Sequence, residues 1–508
     1  MITKKIKIFY GIVGVILVAF GRASWIWPLA PICAVCGYAF LWRASSRLLG
    51  LWTLFSIANL IHLNWLLSHP FLYIVGGWVA LSLLFALLYA LISLRVTAAP
   101  LSLFHTLRYA ALFSLLEWSF TQLPCGFSFQ TAALHLSWNP LSLQTASICG
   151  AIGLSFVVFL TNLFVYAWMQ HSHFGRYAIL VALFPYLVGG SLYFHRASKQ
   201  NFASHLRVAV LHTEEPPDVE PSRLNQHEVH EHKWKQIFTL THQLKNLDLI
   251  LLPEGVVPYS AQSQLFHSSL LPQNLSYEKG PALLSSLEIA RLMARSYNTP
   301  ILIGLENQSI RGSTNSCFFV PPGNKTIEHY DKQLLLPFGE YIPFPSLRSF
   351  LADYGVHGSF FQGKETKLLD YSNLRLAPLI CYEETFSTYT ERAARLNPTC
   401  FVSVHNDAWF PDSRLKFEHF EQARLRAVET GKPIIRSCNK GVSGVISALG
   451  ESVEHKEGTS CFTIRLSTYS PLSFFLLIGT SSIALCFICL VLLSIAVEEK
   501  KSAPLTLH

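Results

Sequence analysis

Apolar residues crowd the two ends of this chain and thin out in its middle. Long apolar runs follow one another at 8–20, 27–42, 48–67, 71–94, 101–120, 146–169 and 177–194, and a last one covers 471–497. Each approaches the roughly 20 residues a helix needs to cross a hydrocarbon core, the first two being short. The period changes between about 205 and 468. There, short apolar runs at 206–211, 247–253, 301–305, 377–380, 401–404 and 433–436 read as buried strands. Stretches of helical period lie at 233–245, 282–295, 385–395 and 417–430, and a polar stretch at 213–230 leads into the first of them. Segments 316–320 and 325–330 read as a hairpin across Pro321-Pro322-Gly323-Asn324. Strands alternating with helices imply sheets covered by helices. The expected architecture is therefore an α-helical membrane domain of about eight transmembrane helices with an inserted α/β domain of two stacked sheets. Residues 1–200 would hold seven helices, 205–468 the α/β domain and 471–497 the eighth helix.

Composition supports this division. Of 508 residues 51% are hydrophobic and 14% charged, and the mean hydropathy is +0.34, too apolar for a soluble globular protein. The net charge of +8 does not indicate nucleic acid, because no basic stripe interleaved with aromatics occurs. Basic residues instead lie partly between the apolar runs, where they orient a membrane protein. Lys4, Lys5 and Lys7, Arg43 and Arg47, Arg95, Arg176, and Lys500 with Lys501 fall on one side, while 68–70 and 121–141 contain no Lys or Arg. Arg22 is the exception. Seven spans from a cytoplasmic N-terminus deliver the α/β domain to the outer side. The basic start before 8–20 would also suit a signal peptide, but the runs that follow favour an uncleaved first helix. Polar residues within the runs are few (His62, Asn64, Arg108, Glu117), which argues against a proton-coupled transporter. The uncharged aromatic loop 122–129 would dip into the interface, as a lipid guide or a simple anchor. Among 11 cysteines, Cys33/Cys36 and Cys486/Cys489 form CxxC pairs inside apolar runs and read as filler, and no zinc spacing occurs in the α/β domain.

The apolar stretch Ala377-Pro378-Leu379-Ile380 ends abruptly on Cys381, followed by Tyr382, Glu383 and Glu384. A nucleophile on a tight strand-to-helix turn projects into a cleft, and a helix N-terminus favours its thiolate. Taken alone, the buried core thiol is the commoner reading of such a cysteine. Two further strand ends carry reactive groups: Leu252-Pro253-Glu254-Gly255, and Tyr330-Asp331-Lys332 running into Leu336-Pro337-Phe338-Gly339-Glu340-Tyr341. Glu254, Lys332 and Cys381 match in order the Glu-Lys-Cys triad of the nitrilase superfamily. With the predicted spans around them, and with Asn406-Asp407-Ala408-Trp409-Phe410 and the Arg436-x-x-Asn439-x-Gly441 pattern, the chain resembles the apolipoprotein N-acyltransferase family, the membrane-bound branch of that superfamily. The likeness covers essentially the whole chain. Leu252 stands where the family commonly has Trp, and His212-Thr213 replaces a Gln-containing turn; both bear on the acyl pocket and not on the triad.

The resemblance implies a nitrilase-like α-β-β-α sandwich on the periplasmic side of a bacterial inner membrane. It implies Cys381 as nucleophile, Glu254 as base and Lys332 as oxyanion stabiliser, with Glu340 and Glu383 holding Lys332 charged and oriented. Tyr382, Trp409, Phe410, Phe338 and Gly339 would line the substrate mouth; ordinary packing is the competing reading for these aromatics. A phospholipid would donate the acyl chain, and the α-amino group of a diacylglyceryl-modified lipoprotein cysteine would accept it, in a monomer without metal or organic cofactor. A membrane-anchored amidase, with water resolving the thioester, is the nearest rival. A transporter or binding protein with an inactive domain is disfavoured by the intact triad.

Overall fold

The computed structural model describes residues 3–98, 100–123, 126–216, 225–275, 281–323, 325–343, 346, 348–349 and 360–502. The chain divides into two compact units, Met1–Ala197 with Leu472–His508, and Ser198–Pro471.

The first unit is helical. Among the described residues five helices are long and apolar enough to cross a membrane: Leu48–Ser68, Tyr73–Ala98, Ala146–Trp168, Gly175–Gln200 and Thr480–Val497. The expected eight are reduced to these five for local reasons. The helix Lys4–Phe20 has only 17 residues. The run 27–42 is broken into short 3-10, α and π turns. Leu103–Gln122 is long, but His105, Arg108 and Glu117 dilute its apolar character.

Polar groups in this unit hold the aromatic loop. Arg22, 2% exposed, donates to the carbonyls of Phe129 and Thr131 at 3.3 Å each, which explains its exception to the charge pattern. Glu117 accepts from Tyr89 Oη at 2.7 Å, Ser155 Oγ at 2.5 Å and the Ala132 amide at 3.0 Å. Phe127 and Phe129 pack on Phe85 and Trp65. Residues 126–129 of the loop are thus folded back onto the helices, while Leu123 is 59% exposed; Pro124 and Cys125 lie outside the described residues.

The second unit holds fourteen strands among its described residues. They are β1 (His205–His212), β2 (Leu249–Leu252), β3 (Gln264–His267), β4 (Leu283–Ser285), β5 (Ile301–Ser309), β6 (Gly312–Val320) and β7 (Glu328–Asp331). Then follow β8 (Leu369–Tyr371), β9 (Leu374–Ile380), β10 (Cys400–Asn406), β11 (Ile434–Asn439), β12 (Ser443–Ile446), β13 (Ser452–His455) and β14 (Ser460–Ser467). One sheet runs β14-β1-β2-β5-β6-β7, the other β13-β12-β11-β10-β9-β8, and β3 pairs with β4. In each sheet three neighbouring strands are parallel, β1-β2-β5 and β9-β10-β11.

Side chains alternate along these strands. Val208, Val210, Leu249 and Leu251 of one sheet meet Leu376, Ile380, Val402, Val404 and Ile435 of the other in the inter-sheet core. Ala209, Leu211, Ile250 and Leu252 face outward onto Trp234, Ile237, Ile289 and Met293 of the helices Gln226–Thr241 and Ser286–Tyr297. On the outer face of the second sheet Arg436 lies over Phe420 of the helix Leu415–Thr430. The layers are therefore α-β-β-α. The predicted hairpin is β6 and β7, its Asn324 lying outside the described residues. The helix expected at 233–245 starts earlier, at Gln226, because Asn225 and Glu228 form a capping box; residues 217–224 before it lie outside the described residues.

Candidate active site

Three strand ends deliver reactive groups, two of them the carboxyl ends of parallel strands, where open α/β sheets bind ligands. Glu254 follows β2, Cys381 follows β9, and Lys332 follows β7. Gly304 on β5 lets the strands close around the first of these: a Cβ there would lie 2.5 Å from Glu254 Cα. Lys332, 1% exposed, places Nζ 2.9 Å from Glu340 Oε1 and 3.5 Å from Glu254 Oε1. Burial alone would lower its pKa, but Glu340 and Glu254 outweigh that and hold it well above the usual lysine value. The ammonium is therefore a fixed charge. Burial raises the Glu254 carboxyl, with Lys332 opposing, Glu340 adding to the rise and the Cys381 thiol contributing a hydrogen bond. Its Oε2 has no hydrogen-bond partner among the described residues.

Cys381 sits at φ +52° at the head of a 3-10 turn, Cys381–Thr385, and the α-helix starts only at Ser387. A left-handed cysteine is a strained position of the kind that gathers at functional sites. The expectation of a thiolate stabilised by a helix end is corrected here. Burial first, then Glu254, push the thiol well above its usual value, with Lys332 opposing. These influences favour the protonated thiol over the thiolate.

The remaining predicted residues divide. Glu340 touches Lys332 as expected and also accepts from the Leu336 amide at 2.7 Å. Glu383 does not touch Lys332: it accepts from the amides of Gln333 (2.5 Å), Leu334 (3.2 Å) and Ile380 (2.8 Å) and from Tyr330 Oη (2.9 Å). It thereby ties the lysine turn to the cysteine turn through the backbone. Burial raises its carboxyl to about 7 against these donors. Tyr382, 5% exposed, packs edge-on against Phe386 at 4.9 Å. Trp409 and Phe410 are half-buried beside the 3-10 turn Asp407–Trp409, Phe338 is half-buried at φ +63°, and Gly339 is exposed.

Sequence reasoning missed Asn315 and the pair Asp407–His419. Asn315 Nδ2 donates to Glu254 Oε1 at 2.6 Å and to Glu340 Oε1 at 2.7 Å, bridging the two carboxylates. His419 Nδ1 meets Asp407 Oδ1 at 3.0 Å, and its Nε2 lies 3.4 Å from the Cys381 carbonyl. Burial alone would raise Asp407, but His419 holds it well below the carboxylate range. Only position on β6 could have flagged Asn315, a polar residue ahead of the apolar run Cys317 to Val320. Asn315→Leu keeps the branched shape and removes the bridge, so we expect about 100-fold slower turnover, the scale of a misplaced reacting group, with the fold retained by circular dichroism.

An α-β-β-α sandwich with a buried carboxylate–ammonium pair beside a cysteine elbow defines a domain of the carbon-nitrogen hydrolase type. Residues 220–470 match the family model described as carbon-nitrogen hydrolase, and 13–164 that of the apolipoprotein N-acyltransferase N-terminal domain. The chain belongs to the apolipoprotein N-acyltransferase family. It is 28% identical to the apolipoprotein N-acyltransferase of Chlamydia pneumoniae, over 88% of this chain and 87% of that one. The Chlamydia caviae protein of the same name is 27% identical over 86% of each. A carbon-nitrogen hydrolase superfamily structure from Xanthomonas campestris aligns with 60% of this chain and 100% of its own at 17% identity and a TM-score of 0.36. With its five long apolar helices the chain is a multi-pass bacterial membrane protein.

Proposed function

We propose that the chain moves an acyl group from a phospholipid to the α-amino group of a diacylglyceryl-modified cysteine at the start of a lipoprotein, through a thioester on Cys381. The observation that carries this reading is Cys381 on a strand-end turn beside the buried Glu254 carboxylate and Lys332 ammonium, in a chain with long apolar helices. Glu254 takes the thiol proton as sulfur attacks the ester carbonyl. Lys332 stabilises the oxyanion, a contribution worth about 3 kcal/mol per donor in such sites. The lysophospholipid leaves with the proton that Glu254 returns. The amine then attacks the thioester, Glu254 takes its proton, and the Cys381 sulfur departs and is reprotonated. Splitting one acyl transfer into two steps lets two membrane-held substrates use one site in turn. We place the α/β unit on the periplasmic side of the inner membrane, on the loop charge pattern.

The test is mass spectrometry of the Cys381 peptide after incubation with phospholipid alone. A hydroxylamine-labile acyl mass on Cys381 is expected, and a diacylglyceryl peptide should discharge it as N-acyl peptide. Discharge to free fatty acid instead would support the amidase, and an unmodified Cys381 in folded protein would overturn the reading. The pH dependence follows from Glu254. It must be ionised to accept the proton, and burial raises its pKa. Thioester formation should therefore fall as pH drops, with its acid limb above the ordinary glutamate value of 4.5, in stopped-time acylation assays across pH.

A further inference from the structure

Cys381 lies in a row of metal-ligating side chains that the acyl-transfer chemistry does not use. The parallel register pairs Ile380 with Val404, so Cys381, just past the end of β9, comes next to His405 on β10. His405 is in turn the register partner of Cys438 on β11. The Cys381 sulfur, an imidazole nitrogen of His405 and an Asp407 carboxylate oxygen lie within 4.8 Å of one another. His405 is fully buried, and its Nε2 is held by Glu384 at 3.0 Å and Ser403 at 2.7 Å. Its Nδ1 has no hydrogen-bond partner among the described residues. Asp407 Oδ1 is taken by His419, whereas Oδ2, among the described residues, accepts only from the weak Cys438 thiol at 3.6 Å. Gly441 keeps this corner open, since a Cβ there would strike both Cys438 Sγ and Asp407 Oδ2.

Thiolate, imidazole and carboxylate form a ligand set suited to zinc-class cations, with Cys438 at hand as a fourth donor. The surroundings carry the matching charge: Glu254, Glu340, Glu384 and Asp407 stand against the fixed cations Lys332 and Arg436. We propose that Cys381, His405 and Asp407 form a binding site for a thiophilic divalent cation of the zinc class, which reversibly caps the nucleophile. On binding, the Cys381 S–H bond breaks, the proton passes to Glu254 or solvent, and a metal–sulfur bond forms without change of oxidation state. That the bound ion blocks acylation rests on the function proposed above; the binding itself does not.

Full-length protein in detergent, stripped with chelator, is titrated with Zn²⁺, and alkylation of Cys381 by iodoacetamide is followed on its peptide. Neither phospholipid nor acceptor is present, so failure of the acyl-transfer reading leaves this readout intact. One equivalent of Zn²⁺ should protect Cys381, and excess chelator should restore its alkylation. In His405→Ser and Asp407→Asn the Zn²⁺ needed for protection should rise by about tenfold or more, the scale set by altered metal environments. Either variant that still folds by circular dichroism suffices. If stoichiometric Zn²⁺ leaves Cys381 alkylation unchanged in the wild type, or protects both variants as well as the wild type, the site is overturned.

Discussion

Cys381→Ala is expected to abolish acyl transfer while the α/β unit keeps its fold. The side chain is half-buried, and its loss removes one sulfur from the edge of the inter-sheet core. Alanine tolerates the strained φ of +52° no worse than cysteine does. Stability should therefore change by no more than about 1 kcal/mol, the ordinary cost of a point substitution. Turnover should fall by about 10⁵-fold or more, the scale reached when a covalent nucleophile is removed. Cys381→Ser should be nearly as inactive, because a serine hydroxyl gives up its proton far less readily than a thiol, and Glu254 is the base in reach. The assay is transfer to a diacylglyceryl peptide, with circular dichroism and thermal unfolding on the same samples. Residual transfer above background in a folded variant would remove Cys381 as the nucleophile.

The sequence carried the sandwich and the three reactive groups unevenly, for physical reasons. Buried parallel strands such as β2 and β10 are continuous apolar runs, so they stand out. The edge strands β8, β13 and β14 do not: Ser452 to His455 is largely solvated, and β14 alternates polar with apolar residues, which weakens any run-based signal. Glu254 and Cys381 were legible because each ends an apolar run, and Lys332 because it leads into Pro337-Phe338-Gly339-Glu340. Asn315 was not, since its role comes from hydrogen bonds to Glu254 and Glu340, 61 and 25 residues away along the chain. The resemblance makes Glu383 a partner of Lys332, yet its oxygens are filled by backbone amides and the Tyr330 hydroxyl. The helical unit misled in a different way. Hydropathy counts residues, whereas the run 27–42 breaks into turns whose amides bond Asn162: its Oδ1 accepts from Tyr38 and Ala39 at 2.9 and 3.2 Å.

Lys332→Met should be the most damaging change to stability in the site as well as to turnover. The lysine is buried against two carboxylates, and Asn315 holds both of them within 2.7 Å of its amide nitrogen. Removing one partner of a buried ion pair leaves an uncompensated buried charge, at a cost of about 3–5 kcal/mol. With Lys332 gone, Glu254 and Glu340 repel each other in a desolvated cleft, and one of them takes up a proton in the folded state. A carboxyl whose folded pKa is raised above its unfolded value loses stability as pH rises through that folded pKa. The deficit of the variant relative to wild type should thus be small in acid and grow towards neutral pH. Adding Glu340→Gln removes one of the two charges and should recover much of the thermal stability at neutral pH. It should not recover transfer, because the oxyanion has still lost its ammonium, a loss of about 100–1,000-fold. Thermal unfolding of wild type, Lys332→Met and the double variant across pH, with transfer assayed alongside, separates the two roles. A Lys332→Met protein as stable as wild type at neutral pH would mean that the carboxylates are not charged together in the fold, and that Glu254 is not held ready as a base by this pair.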